Sequence, residues 1–184
     1  LALCGRPFQA ASSDPLIDVI QKPFFSGSYA RVRIAIVIPV VNCQILSRLK
    51  PNLLRWTEVF PGKLPSGSDV SIIFHYNKFA KENPGVLHDL STVWYSLPRR
   101  IRNIFREVNI WSADLSDSQD DYVMGTCVMF HRTFPLLHSA KYTHWFQYEP
   151  DVKPIRPDWL SRIAELSIQN ADCTLWWQLG SEPC

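Results

Sequence analysis

"VRIAIVIPVV", residues Val32 to Val41, is a nearly continuous β-branched apolar run. That is the pattern of a strand buried on both faces of a parallel sheet, and it is taken as the first central strand. Pro39 is expected to end its ladder, because proline has no N–H to donate. Further runs of strand character follow: "VSIIFHY" (Val70–Tyr76), "VNIWSADL", "THWFQY" and "CTLWWQL". Helical spacing fills the intervals. Leu46, Leu49, Leu53, Trp56 and Phe60 recur at three and four with a kink or restart implied at Pro51. In "PRRIRNIFREV", Ile101, Ile104, Phe105 and Val108 share one side, and Arg99, Arg102 and Arg106 the other. That arginine face is either a solvated surface or a phosphate clamp. Two more helices are expected from Met124 to about His138 and from Asp158 to about Gln169, the latter with Trp159, Ile163 and Leu166 inward. Strands alternating with helices predict an α/β fold, a Rossmann-like sandwich on a mainly parallel sheet whose ligands bind beyond the carboxyl ends of the strands.

Length and composition agree with one compact domain: 184 residues, 46% apolar and 20% charged. Residues 1–30 read as an irregular arm and 31–184 as the domain. Nineteen Lys+Arg against 17 Asp+Glu leave a net charge of +2, too little to imply a nucleic-acid footprint. No apolar run approaches the roughly 20 residues that span a bilayer, and the N-terminus lacks a signal-peptide layout. Because the chain begins at Leu1, it is expected to be a domain cut from something longer. Its compartment is then a Golgi or endoplasmic-reticulum lumen if eukaryotic, and the cytoplasm otherwise. The five cysteines, Cys4, Cys43, Cys127, Cys173 and Cys184, include no C-x-x-C, so they are unpaired thiols or hold one bridge in an oxidising lumen.

The acidic residues draw attention at "HWFQYEPDVKPIRPDWL", residues 144 to 160, where Glu149 and Asp151 flank Pro150. In an extended segment two residues apart point to one face, and Pro150 biases Glu149 towards β or polyproline geometry. Both carboxylates would then converge on one point at the end of a central strand. Hard oxygen ligands there suit Mg²⁺ or Mn²⁺, whose remaining positions go to water and substrate phosphates. The other reading is a Pro-Asp turn on the surface.

"RIAIVIPVVN" resembles the opening strand of nucleotide-sugar glycosyltransferases of the GT-A fold, and "YEPDV" is similar to the E-P-D-V segment that fungal α-1,2-mannosyltransferases carry in place of D-x-D. In element order the likeness spans roughly residues 32 to 180. It implies that Pro39, Val40 and Asn42 lie against the base or ribose. It also implies that Glu149 and Asp151 hold Mn²⁺ or Mg²⁺ against the diphosphate of a GDP- or UDP-sugar, whose sugar moves to a hydroxyl of a glycan or protein acceptor. A divalent ion suits that reaction, because charge builds on the leaving diphosphate. The alternative is a non-catalytic nucleotide-sugar or glycan binding module of the same fold.

The sequence departs from the family where many members carry an aspartate pair after the second strand. Here "FHYNK" stands, so His75 and Asn77 substitute or the base contact lies elsewhere. Asp114 is either a ribose ligand or a capping residue. The chain stops at Cys184, soon after the fifth strand, and is expected to be truncated before acceptor-binding segments; Glu182 is a candidate for acting on the acceptor. His131, His138 and His144 do not align on one helix face and read as ordinary histidines. Trp176 and Trp177 face opposite ways on a strand, one in the core and the other available to stack on a sugar. Arg132 and Lys153 contact phosphate or are solvated. Neither G-x-G-x-x-G nor G-x-x-x-x-G-K-[ST] occurs, which sets aside nicotinamide dehydrogenases and P-loop kinases.

Overall fold

The computed structural model describes residues 31–121 and 124–169. The first 30 residues, the expected fifth strand with Trp176 and Trp177, and Glu182 lie outside them. Four strands, β1 (Val32–Val40), β2 (Ser68–Tyr76), β3 (Val108–Ser112) and β4 (His144–Gln147), make one sheet in the order β3-β2-β1-β4. Every neighbouring pair is parallel. The helical segments are α1 (residues 42–57), α2 (Pro84–Tyr95), the single turn α3 (Arg99–Arg102), α4 (Met124–Ser139) and α5 (Trp159–Gln169). The α/β class expected from alternating patterns is the class observed. No helix among the described residues is long and apolar enough to cross a membrane.

Both faces of β1 are covered, which is why it reads as unbroken apolar sequence. Its even residues Ile34, Ile36, Ile38 and Val40 join Val70, Ile72 and Phe74 of β2 in the main core, under α1, α2, α3 and α5. The odd residues Ala35 and Val37 pack with Ile73, Leu137 and Tyr142 on the α4 side. Trp56, fully buried, lies 5.5 Å from Phe105, 5.6 Å from Tyr148 and 5.4 Å from Trp159 between ring centroids. Its indole N–H donates to the Tyr148 hydroxyl at 3.2 Å, so one side chain ties α1 to the end of β4.

Several details differ from the sequence reading. Pro39 does not end β1: pairing with β2 continues to Val40, and only the β4 ladder stops, at Val37. The backbone explains the difference. Arg33 and Val37 direct their carbonyls to Thr143 and Tyr148 on the β4 side, whereas Val32 and Val40 bond Gly67 and Asn77 on the β2 side. An odd-numbered proline therefore lacks its donor only towards β4.

In α1, Leu49, Leu53 and Trp56 are buried as expected, but at its start Ile45 is buried and Leu46 is 51% exposed. A π-helical turn at Ile45–Leu49 precedes Pro51, whose ring and missing N–H forbid a regular turn, and the wider turn rotates the apolar stripe. Pro84–Tyr95 is a helix unforeseen by the sequence reading, with Val86, Leu90, Val93 and Trp94 buried and Pro84 opening it. The arginine-rich helix is only one turn; Val108 belongs to β3, Arg102 stacks over Tyr95 at 5.0 Å and Arg106 pairs with Asp69 at 2.5 Å. In α5 the inward residues are Leu160, Ser161, Ala164 and Ser167 rather than Ile163 and Leu166.

The docking of α5 fixes that rotation. Asp158 N donates to Phe60 O at 2.8 Å, Leu160 N to Pro61 O at 3.0 Å, and Ser161 Oγ to Lys63 O at 2.7 Å. Gly62 makes the approach possible: its φ is 99°, and a Cβ there would stand 2.1 Å from Ser161 Oγ. Gly67 also has positive φ, 87°, but has open space where a Cβ would go. Gly67→Ala should therefore cost only the strain of the left-handed conformation, about 1–2 kcal/mol. Gly62→Ala should cost clearly more, with α5 loosened, as read by urea denaturation of the two variants.

Candidate functional site

With β1 bonded to β2 on one side and β4 on the other, the chain runs outward from β1 through β2 to β3, and the β3–β4 connection returns past β1 to its other side. The crevice outside the carboxyl ends of β1 and β4 is the switch point where sheets of this kind bind ligands. A further rung there would join Pro39 N to Tyr148 O; without that donor β4 stops at Gln147 and the chain turns away.

It does so through a β-turn, Glu149–Pro150–Asp151–Val152, closed by Val152 N donating to Glu149 O at 3.0 Å. Proline at the second position is what such a turn prefers. The expectation of an extended segment presenting both carboxylates to one face is thus corrected: the four residues form a Pro-Asp turn. Glu149 is half-buried and accepts a hydrogen bond from Gln147 Nε2, while Asp151 is exposed. Asn52, buried in α1, donates from Nδ2 to Pro150 O and pins the turn against the helix. Asp151 thereby borders a groove of ≈ 520 Å³ between α1 and the turn, together with Ser47, Arg48, Asn52, Arg55 and Lys153.

The other candidates from the sequence are distributed along the same edge. Pro39 is half-buried, and Asn42 is exposed at the first position of α1. Val40 has its side chain in the core, 1% exposed, so only its backbone can meet a ligand. Asn77, 7% exposed, donates to Oδ1 and Oδ2 of Asp120 at 2.8 and 2.9 Å, and Lys78 bridges to Asp120 at 3.1 Å and Asp117 at 2.8 Å. Those bonds keep the Lys78 ammonium above its ordinary range and the Asp117 carboxyl below it. Asp114 is exposed with φ 51°, and its carbonyl, like that of Ala113, accepts from Arg132. Arg132 therefore clamps the exit of β3. Among the described residues no group of three His, Cys, Asp or Glu side chains comes together to hold a metal, so His131, His138 and His144 form no cluster. Cys43 and Cys127 are free thiols.

Arg48, Arg55, Asn52 and Asp120 are functional candidates that the sequence reading missed. Arg48 and Arg55 are seven apart, two helical turns, and so were legible as one face; what lies opposite was not.

His75 belongs to the interior rather than the rim, 1% exposed under α4. Thr133 Oγ1 gives its only proton to Met129 O at 2.9 Å, so at 3.1 Å from His75 Nδ1 it must accept from that nitrogen. His75 is then the Nδ1–H tautomer, and its buried Nε2 is an acceptor without a partner, as is Asn77 Oδ1.

No family model matches the sequence, and no curated protein or solved structure matches it.

Burial, and secondly the positive charge of Arg132, lowers the His75 pKa from 6.5 to about 4. A base with a depressed folded pKa is protonated first in the unfolded chain. Stability should be full above about pH 6.5 and fall as pH drops towards 4, by about 3 kcal/mol in all. Urea denaturation in pH steps across that window should show the loss. In His75→Asn, whose amide can replace Nδ1–H, the slope should flatten.

Proposed function

We propose that the chain is a metal-dependent glycosyltransferase domain of the GT-A kind, moving a hexose from a GDP- or UDP-sugar to a hydroxyl of a glycan or protein. The observation that carries this reading is the position of the Glu149–Val152 turn. It leaves β4 at the switch point, beside the end of β1, and Asn52 holds it there. The resemblance of "IPVVN" and "YEPDV" to that family falls on these same two strand ends.

On this reading Asp151 is the carboxylate that would hold Mn²⁺ or Mg²⁺, with donor phosphate oxygens and water supplying the other ligands. Glu149 acts at one remove, through the turn that it opens. The ion would supply Lewis-acid stabilisation of the leaving diphosphate. Pro39, the Val40 backbone and Asn42 line the nucleotide end, with Asn77, fixed by Asp120, beside them. The acceptor oxygen attacks the anomeric carbon as the bond from that carbon to the diphosphate oxygen breaks, and the hydroxyl proton leaves to a base.

Calorimetric titration with a panel of UDP- and GDP-sugars, with and without Mn²⁺, tests the reading, and donor hydrolysis measured alongside separates turnover from binding alone. Mn²⁺ should tighten one donor. Asp151→Asn should lose that gain by at least about tenfold, about 1.4 kcal/mol, with the melting temperature unchanged because the side chain is exposed. A Mn²⁺ effect of full size in Asp151→Asn would reject the assignment.

A further inference from the structure

The groove beside the turn carries more positive charge than a metal site needs. Arg48 and Arg55 reach it from α1 and Lys153 from the loop, against the single carboxylate of Asp151. Arg48 and Arg55 are exposed on the side of α1 adjoining the one that buries Leu49, Leu53 and Trp56. Among the described residues none of these three cations has a carboxylate within ion-pairing distance, whereas Arg31, Arg33, Lys78, Arg106 and Arg162 all do. Two positive charges are left in excess in a concave site whose volume suits a small ligand.

The geometry points to direct, metal-independent recognition of a phosphate group in this groove. Arginine presents a planar fork of donors that pairs bidentately with phosphate oxygens, and lysine adds a compact charge. Two excess charges match a phosphate monoester dianion or the diphosphate of a nucleotide sugar. Asp151 accepts a hydroxyl of the same ligand, and Asn52, its amide committed to Pro150 O, keeps the wall of the groove fixed. This inference goes beyond the glycosyltransferase reading, since it requires neither a metal ion nor group transfer. The phosphate comes either from the donor or from a phosphorylated acceptor, and the probes below separate the two.

The full chain is titrated with inorganic pyrophosphate in EDTA at low ionic strength, then with UDP, GDP and a hexose phosphate. Pyrophosphate should bind the wild type, and the Arg48→Gln/Arg55→Gln double variant should lose at least tenfold in affinity. Lys153→Gln, in the loop, should lose threefold or more and reads the same groove without disturbing α1. Preference for a nucleoside diphosphate over pyrophosphate identifies the donor as the source; preference for the hexose phosphate identifies the acceptor. No pyrophosphate binding by the wild type at millimolar concentration, or equal affinity in all three proteins, overturns the proposal. Arginine-dependent pyrophosphate binding without any nucleotide-sugar binding keeps the groove and rejects the transferase; Mn²⁺-dependent donor binding that ignores the arginines does the opposite.

Discussion

Every peptide group of β1 must find its partner inside the protein, because both faces of the strand are buried and a lone buried N–H or C=O costs about 1–3 kcal/mol. Even residues meet this demand on β2 and odd residues on β4. A proline at an odd position near the end removes one donor from one side only. The sheet therefore stays closed between β1 and β2 to Val40 and comes apart three residues earlier, at Val37, between β1 and β4. The crevice at the switch point follows from that asymmetry, and no special loop is needed to open it.

Opening a crevice is useful only if its rim is rigid. Two contacts from α1 supply that here. Trp56 packs edge-on against Tyr148 and donates to its hydroxyl, fixing the last residue before the turn; burial raises the Tyr148 pKa and keeps that hydroxyl protonated. Four residues earlier in α1, Asn52 takes the Pro150 carbonyl. Both bonds are buried, where an unmade partner is costly, so the turn cannot drift without losing them. Asp151, whose side chain makes no hydrogen bond or ion pair among the described residues, is held by the backbone of the turn and is exposed to meet a ligand.

The class of the fold and its four described strands were legible because β1 is a nearly unbroken apolar run and the other strands keep strand character between helical intervals. Rotations of helices were legible only in part. The face of α1 held from Leu49 to Trp56, but at its start Ile45 is buried in place of Leu46, and the π-helical turn before Pro51 has no signature in spacing. The face of α5 is set by bonds to residues 60–63, about a hundred positions away. In α2 the pattern was present in Val86, Leu90, Val93 and Trp94, but prolines and polar residues around it obscured the period. At the site, the sequence pointed to the acidic pair, yet the same Pro150 that suggested extension is also the preferred second residue of a β-turn. The choice between them is made by Asn52, 98 residues away in the chain, and no local reading contains it.

The charge around Asp151 also constrains the order of events at the site. A divalent ion approaching an empty groove meets three cations and one carboxylate. In a water-like dielectric a unit cation repels a divalent ion by about 1 kcal/mol at a separation of about 7 Å, so three cations rival what one carboxylate offers. A phosphate dianion in the groove reverses the balance and adds oxygen ligands of its own. If the site holds both as proposed, phosphate and metal would strengthen each other's binding, and by linkage the factor would be the same in both directions. Such a site would discriminate against the free ion and favour the ion already paired with a phosphorylated ligand. On that proposal the selectivity would come from Arg48, Arg55 and Lys153 together with Asp151, and a second carboxylate at Asp151's side would weaken it.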